Sequence, residues 1–157
     1  PYNETPTLVD RDLLLHDAGV INDYLDERYP HPPLMPVDPV SRARLRLVHH
    51  RVLRDWFPLA EEIENTVGRK RDRARAQLKE SIVATNDLFK QADFLISDEL
   101  SLVDCTLGPL FWRLPVYGVD LGTGGSAVQA YVQRLISRPS IKSSLTRAER
   151  EMLLDLK

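Results

Sequence analysis

Apolar residues recur at three- and four-residue steps along most of the chain, a spacing typical of amphipathic helices. It predicts one helix over residues 40–66, kinked at Pro58 and stopped by Gly68, and a second helix over residues 71–91. A further helix is predicted to stop at Pro139. Its apolar stripe consists of Val128, Tyr131, Val132, Leu135 and Ile136.

Residues 102–114 are almost entirely apolar, and a helix that is apolar on all sides is usually buried on all sides. Ser101 precedes this stretch and Asp104 lies in its first turn, with the spacing of a capping box, and Pro109 predicts a bend further along. We therefore expect the central helix of an all-helical domain. An anion site at its start is the less favoured interpretation. A second capping box, in residues 146–149, predicts a charged last helix.

The first thirty residues predict a small α+β unit. Two short apolar runs, residues 7–10 and 13–16, flank a polar turn and indicate a β-hairpin. Asp17 can cap a following helix, which Pro30 ends. Because a hairpin with one helix is too small to be stable alone, we expect further strands from elsewhere.

Residues 30–39 contain five prolines and predict a stiff, extended linker that marks a domain boundary. The predicted fold class is α+β, with residues 1–29 as the C-terminal half of a thioredoxin-like domain and residues 40–157 as an all-α domain. The linker is either a spacer or a binding loop. In the second case the prolines limit the entropy lost on binding, and His31 offers a polar ring.

The 157 residues are 43% hydrophobic and 28% charged, with a formal net charge of −2, as in a soluble globular protein. This balance favours neither nucleic acid nor membrane as the main partner. Residues 1–37 hold seven acids against two arginines, whereas residues 38–79 hold eleven bases against six acids, a distribution that suits a charged protein partner. One cysteine and no long apolar run indicate a cytoplasmic protein without disulfides.

Four features of the sequence are candidate sites of chemistry. Adjacent His49 and His50 cannot chelate one ion together, so we expect one packed and one surface histidine, and no metal site. Cys105 lies in an apolar run and is expected to be buried rather than nucleophilic. Residues 122–126 lack the lysine of a phosphate loop. The basic residues 69–75 lack interleaved aromatics and indicate a solvated helix start rather than a nucleic-acid site.

The order of these elements resembles the glutathione transferase superfamily, in which a cis-proline precedes the third strand and a capping box opens the central helix. Pro6 matches the proline, and Ser101 with Asp104 matches the box. Within that superfamily the chain is most similar to a group of bacterial regulators associated with RNA polymerase. The stretches that carry this resemblance are residues 6–10, 24–36, 98–105, 110–115 and 144–152.

The resemblance implies a non-enzymatic transcription regulator that binds RNA polymerase holoenzyme in the starvation or stationary-phase stress response. It also implies a homodimer and allows a further transcription factor. No catalytic residue, cofactor or membrane partner is expected, nor any nucleic acid bound by the chain on its own. The partner-binding residues implied are Pro30, His31, Pro32, Pro33, Leu34 and Met35.

The alternative is a glutathione-dependent transferase, and a scaffold that only dimerises is a third possibility. The positions that match a glutathione site are Thr5, Pro6 and Asp17. In many glutathione-binding relatives the acidic residue that corresponds to Asp17 is followed by a serine, whose hydroxyl binds the ligand. Here Ala18 follows Asp17, and alanine has no hydroxyl. The resemblance also implies that the strands bearing a transferase's catalytic residue lie outside this chain.

Overall fold

A computed structural model of the protein describes residues 5–154, with side chains described for residues 5–152. The ends of the two predicted domains, residues 1–4 and 155–157, lie outside that range. The hairpin is confirmed: β1 (Thr7–Asp10) pairs antiparallel with β2 (Leu13–His16), with Thr7 opposite His16.

Helix α1 (Ala18–Arg28) follows the hairpin directly, and the predicted cap is present. The Asp17 carboxylate accepts a hydrogen bond from the backbone N–H of Val20 at 3.0 Å, satisfying a donor that the first helical turn leaves free. The Tyr24 hydroxyl donates to Asp10, which fastens the helix to β1. The sequence therefore predicted this unit correctly.

The described part of the helical domain has seven α-helices, where about five were expected. They are α2 (Pro39–Asp55), α3 (Phe57–Asn65), α4 (Arg69–Ala84), α5 (Leu102–Tyr117), α6 (Ser126–Ser137), α7 (Pro139–Ser144) and α8 (Arg147–Leu154). Short 3-10 turns cover Asn86–Lys90 and Thr123–Gly125. None of the described helices is long and apolar enough to cross a membrane.

The single helix predicted over residues 40–66 is two helices, separated at Trp56. Pro58 lies in the first turn of α3, where a proline's missing N–H has no helical partner to lose, so it starts a helix instead of kinking one. Gly68, expected to stop that helix, instead precedes α4 with φ of 62°. The helix predicted to reach residue 91 ends at Ala84 and continues as a 3-10 turn.

The linker prediction needs a correction, because residues 30–39 do not form an extended spacer. The Leu34 N–H donates to the Asp26 carboxylate at 2.6 Å, and the Leu34 carbonyl accepts from the Leu102 N–H at 3.0 Å. Met35 is packed in the core with 8% of its surface exposed. Pro39 already belongs to α2, which Asp38 caps through the Ser41 N–H at 2.7 Å.

Helix α5 lies at the centre of the helical domain, as predicted, and extends three residues further than expected, to Tyr117. Gly118 ends it in the left-handed conformation, with φ of 69°. Phe111 and Tyr131 of α6 meet edge to face, with ring centroids 6.0 Å apart. The largest fully buried side chains around them include Leu45, Leu78, Ile82, Leu107 and Leu135.

Asp104, at the start of α5, is a charged group with no exposed surface. Its carboxylate accepts from the Ser101 N–H at 2.8 Å and the Ser101 hydroxyl at 2.5 Å, so the predicted capping box is present. It also accepts from the Leu95 N–H at 3.1 Å and the Tyr131 hydroxyl at 2.7 Å. Burial, with this carboxylate, raises the pKa of Tyr131, so the phenol keeps its proton and donates.

Two other helix ends are satisfied from distant parts of the chain. The Asn86 side-chain oxygen accepts from the N–H groups of Ala127 and Val128, at 2.9 and 3.2 Å, and so caps α6. The Arg75 guanidinium donates to the Tyr117 carbonyl at 2.6 Å, at the end of α5. Asn86 thus completes a helix start that lacks a local side-chain cap, and Arg75 adds a hydrogen bond to a helix end that Gly118 already caps.

We expect Asp104→Ala to lower the free energy of unfolding by about 3–5 kcal/mol, because it leaves several buried donors without an acceptor. Ser101→Ala, which removes one hydroxyl from the same box, should cost only about 1 kcal/mol. Urea unfolding followed by circular dichroism measures both. Equal losses for the two variants would contradict the central role assigned to the carboxylate.

Candidate partner-binding site

The predicted loop is at the surface of the molecule. Pro30, His31, Pro32 and Pro33 are exposed, and the His31–Pro32 peptide bond is cis. Leu34, which follows them, is half-buried. The four exposed residues therefore present two ring types to solvent, the saturated proline rings and one imidazole.

Contacts from three elements fix the loop at its base. Asp26 of α1 and the Leu102 N–H of α5 hold the two backbone groups of Leu34, as described above. Arg42 of α2 donates from Nε to the Pro36 carbonyl at 2.8 Å. Because Met35 is buried between these anchors, it supports the loop and leaves little surface for direct contact.

A groove of about 340 Å³ runs beside the loop, between α1 and α2. Asp23 and Glu27 line it from α1, and Arg46 lines it from α2. Pro30, Pro33 and Val37 supply exposed apolar surface in the same groove. Acidic side chains of residues 1–37 and basic side chains of residues 38–79 thus line one groove.

His49, on α2, is half-buried, and its Nε2 lies 2.9 Å from the Thr106 hydroxyl of α5. Burial lowers the pKa of this histidine, and the Asp23 carboxylate opposes that effect. His50 is exposed. The prediction of one packed and one surface histidine is therefore confirmed, and within residues 5–152 no three His, Cys, Asp or Glu side chains lie together as metal ligands.

Two of the positions that match a glutathione site flank the paired strands. Pro6 precedes Thr7 and Asp17 follows His16, and Thr7 pairs with His16 at this end of the hairpin. The Thr5–Pro6 peptide bond is cis, and both residues are exposed. One Asp17 oxygen, however, already accepts the capping hydrogen bond from Val20.

Cys105 is half-buried rather than fully buried, and it lines a cavity of about 520 Å³ with Trp112 and Ile141. Burial, and next the Asp104 charge, raises its pKa to about 11. A thiol with this pKa is almost entirely protonated near neutral pH, so Cys105 lacks the activation expected of a nucleophile.

The basic stretch in residues 69–75 has structural roles as well as exposed charges. Arg71 donates to the Thr66 carbonyl at 2.6 Å, and Arg75 holds the end of α5. Arg69, Lys70 and Arg73 are exposed. The stretch opens α4, in line with the expected solvated helix start.

Asp26 and Leu102 were missed as parts of the site by sequence reasoning. Both form hydrogen bonds with the backbone of Leu34. Asp26 lies eight residues before Leu34, and Leu102 lies far after it in the chain. No local spacing marks such pairs, because the folded chain alone brings them together.

This architecture agrees with the family described as "Glutathione S-transferase, C-terminal domain", which residues 47–139 match. The Tau class glutathione S-transferase of mango, Mangifera indica, superposes with a TM-score of 0.76. It is 22% identical, over 99% of this chain and 77% of that structure. The molecule therefore has the glutathione S-transferase fold.

Closer relatives identify the branch within that class. A stringent starvation protein A homolog of Pasteurella multocida is 45% identical over 158 residues, which span all of this chain and 74% of the relative. The homolog of Haemophilus influenzae is 44% identical, over 99% of this chain and 74% of its own length. The chain belongs to the stringent starvation protein A family.

We expect Cys105 to react slowly with a disulfide reagent such as DTNB at pH 8. With a pKa of about 11, about one thiol in a thousand is ionised there, so the rate should be roughly 100-fold below that of glutathione. Concentrated urea should restore an ordinary rate. Equally fast labelling of the folded and unfolded chain would contradict the assigned pKa.

Proposed function

We propose that the chain is a non-enzymatic bacterial transcription regulator that binds RNA polymerase during the starvation or stationary-phase stress response. The observation that carries this proposal is an exposed proline–histidine–proline loop with a fixed base, in a chain of the stringent starvation protein A family. The contact residues are Pro30, His31, Pro32 and Pro33, with Leu34 at the edge and Met35 beneath. The protein acts in the cytoplasm.

The physical basis of recognition is preorganisation. Prolines restrict the backbone before binding, and the hydrogen bonds of Leu34 to Asp26 and Leu102 hold the loop in place. Little conformational entropy is then lost when a partner docks. The imidazole of His31 adds a hydrogen-bonding group to an otherwise apolar contact surface.

Three features support a role without catalysis. Ala18 has no hydroxyl at the position where many glutathione-binding relatives use serine. One Asp17 oxygen is engaged in capping α1, and the raised pKa of Cys105 keeps its thiol protonated. A missing hydroxyl, a carboxylate with one oxygen engaged and a protonated thiol all count against glutathione chemistry at these three positions.

We also propose that the protein works as a homodimer, with room for a second transcription factor on the polymerase. Val40 and Leu47 of α2 lie seven residues apart, on one helix face, and are 59% and 54% exposed. An apolar face of this kind favours self-association. The dimer would present two copies of the loop.

Replacing Pro30, His31 and Pro32 together by alanine should abolish co-purification with RNA polymerase. The expected loss follows because the variant removes the rigid apolar rings and the imidazole. The anchors at Leu34 and Met35 remain, so the circular dichroism spectrum and the unfolding midpoint should stay close to those of the parent. Pull-down with bacterial RNA polymerase holoenzyme measures the binding.

The matched control replaces three exposed basic residues, Arg69, Lys70 and Arg73, by alanine. This triple variant should bind polymerase as the parent does. Binding lost in the basic variant and retained in the loop variant would move the docking surface to α4. Unchanged binding in both variants would contradict the assignment of the loop.

A glutathione-dependent transferase is the second candidate, favoured by the cis Thr5–Pro6 peptide bond and by Pro6 and Asp17 flanking the paired residues Thr7 and His16. We expect the chain to pass through glutathione–agarose without retention and to show no turnover of 1-chloro-2,4-dinitrobenzene. Ala18→Ser, which restores the hydroxyl, is the matched variant and should increase retention if this position limits binding. Retention of the parent together with turnover would overturn the non-enzymatic proposal.

A further inference from the structure

We propose that the groove beside the loop selects a polymerase segment of mixed charge, with a basic residue toward α1 and an acidic residue toward α2. This inference rests on the proposed function and deepens it, since it specifies the chemistry of the partner. Two rims of opposite charge, called here the acidic rim (Asp23 and Glu27) and the basic rim (Arg46), carry the argument.

The acidic rim has two carboxylates on one face of α1. Asp23 and Glu27 are four residues apart, so their side chains project to the same side of the helix. The intervening Asp26 is engaged with the Leu34 N–H and belongs to the anchor of the loop. Asp23 and Glu27 are both exposed and make no hydrogen bond or ion pair among those the structure gives for residues 5–152.

The basic rim lies across the groove on α2. Arg42 donates to the Pro36 carbonyl, so it is a structural residue, whereas Arg46, one turn later, is exposed. Within residues 5–152 no ion pair joins Arg46 to Asp23 or Glu27, although all three line the same groove. Opposite charges that face each other without meeting leave room for a partner whose own charges complete both pairs.

The charges of the two rims disfavour two ligands that carry charge of a single sign. A phosphate backbone would be attracted by Arg46 but repelled by the two carboxylates of the acidic rim. A purely basic peptide would leave Arg46 without a counter-charge. The apolar surface of Pro30, Pro33 and the exposed Val37 suits an apolar side chain placed between a basic and an acidic residue.

The test measures affinity for bacterial RNA polymerase holoenzyme after each rim is neutralised with little change in shape. Asp23→Asn with Glu27→Gln removes the acidic rim, and Arg46→Gln removes the basic rim. Each change should weaken binding about 10-fold at physiological salt, and the difference from the parent should shrink at high salt. Controls on α4, Glu80→Gln and Arg73→Gln, should bind as the parent does.

The outcomes separate this inference from the proposed function. Loss of binding in the loop triple variant with parent-like binding in both rim variants would overturn the inference and leave the function standing. A loss confined to the acidic rim would overturn the mixed-charge partner in favour of a basic one. Parent-like binding in the loop and rim variants alike would overturn both, and weakened binding in both rim variants supports the inference.

Discussion

The structure depends on one buried carboxylate. Asp104 has no contact with solvent, and its charge is stable there because the N–H groups of Ser101 and Leu95 and the hydroxyls of Ser101 and Tyr131 all point to it. These donors come from the start of α5, the connector before it and α6. The carboxylate thus sets where α5 begins relative to its neighbours. That position in turn presents the Leu102 N–H to Leu34, so the base of the exposed loop is tied to the most buried polar group of the domain.

This connection explains how a proline-rich surface loop can be held rigidly. Prolines lack an N–H, so a proline-rich loop can form few hydrogen bonds within itself. Here both backbone groups of Leu34 and the carbonyl of Pro36 form hydrogen bonds with residues of helices. Met35 then fills a place in the core. The loop and the core of the helical domain are thus parts of one arrangement, built on the glutathione S-transferase fold.

Local patterns predicted the elements whose causes are local. The hairpin runs, the Asp17 cap and both capping boxes lie within a few residues of the groups they bind, and each is present in the structure. The break between α2 and α3 also has a local cause, since Pro58 starts α3 instead of kinking a longer helix. Other features depend on residues further away. Asn86 caps α6 from 41 residues before Ala127, and Asp26 turns the expected spacer into an anchored loop.

By itself, the sequence determined the fold class, the central apolar helix with its capping box, and the proline–histidine–proline loop, because apolar spacing, caps and prolines act over a few residues. Only the tertiary structure decided how that loop is held, that Met35 lies beneath it, and that charged side chains of the acidic and basic segments line one groove. Those features depend on contacts between residues far apart in the chain. Hydrogen bonds of this kind form only after the helices have packed, and no repeat or motif encodes them locally.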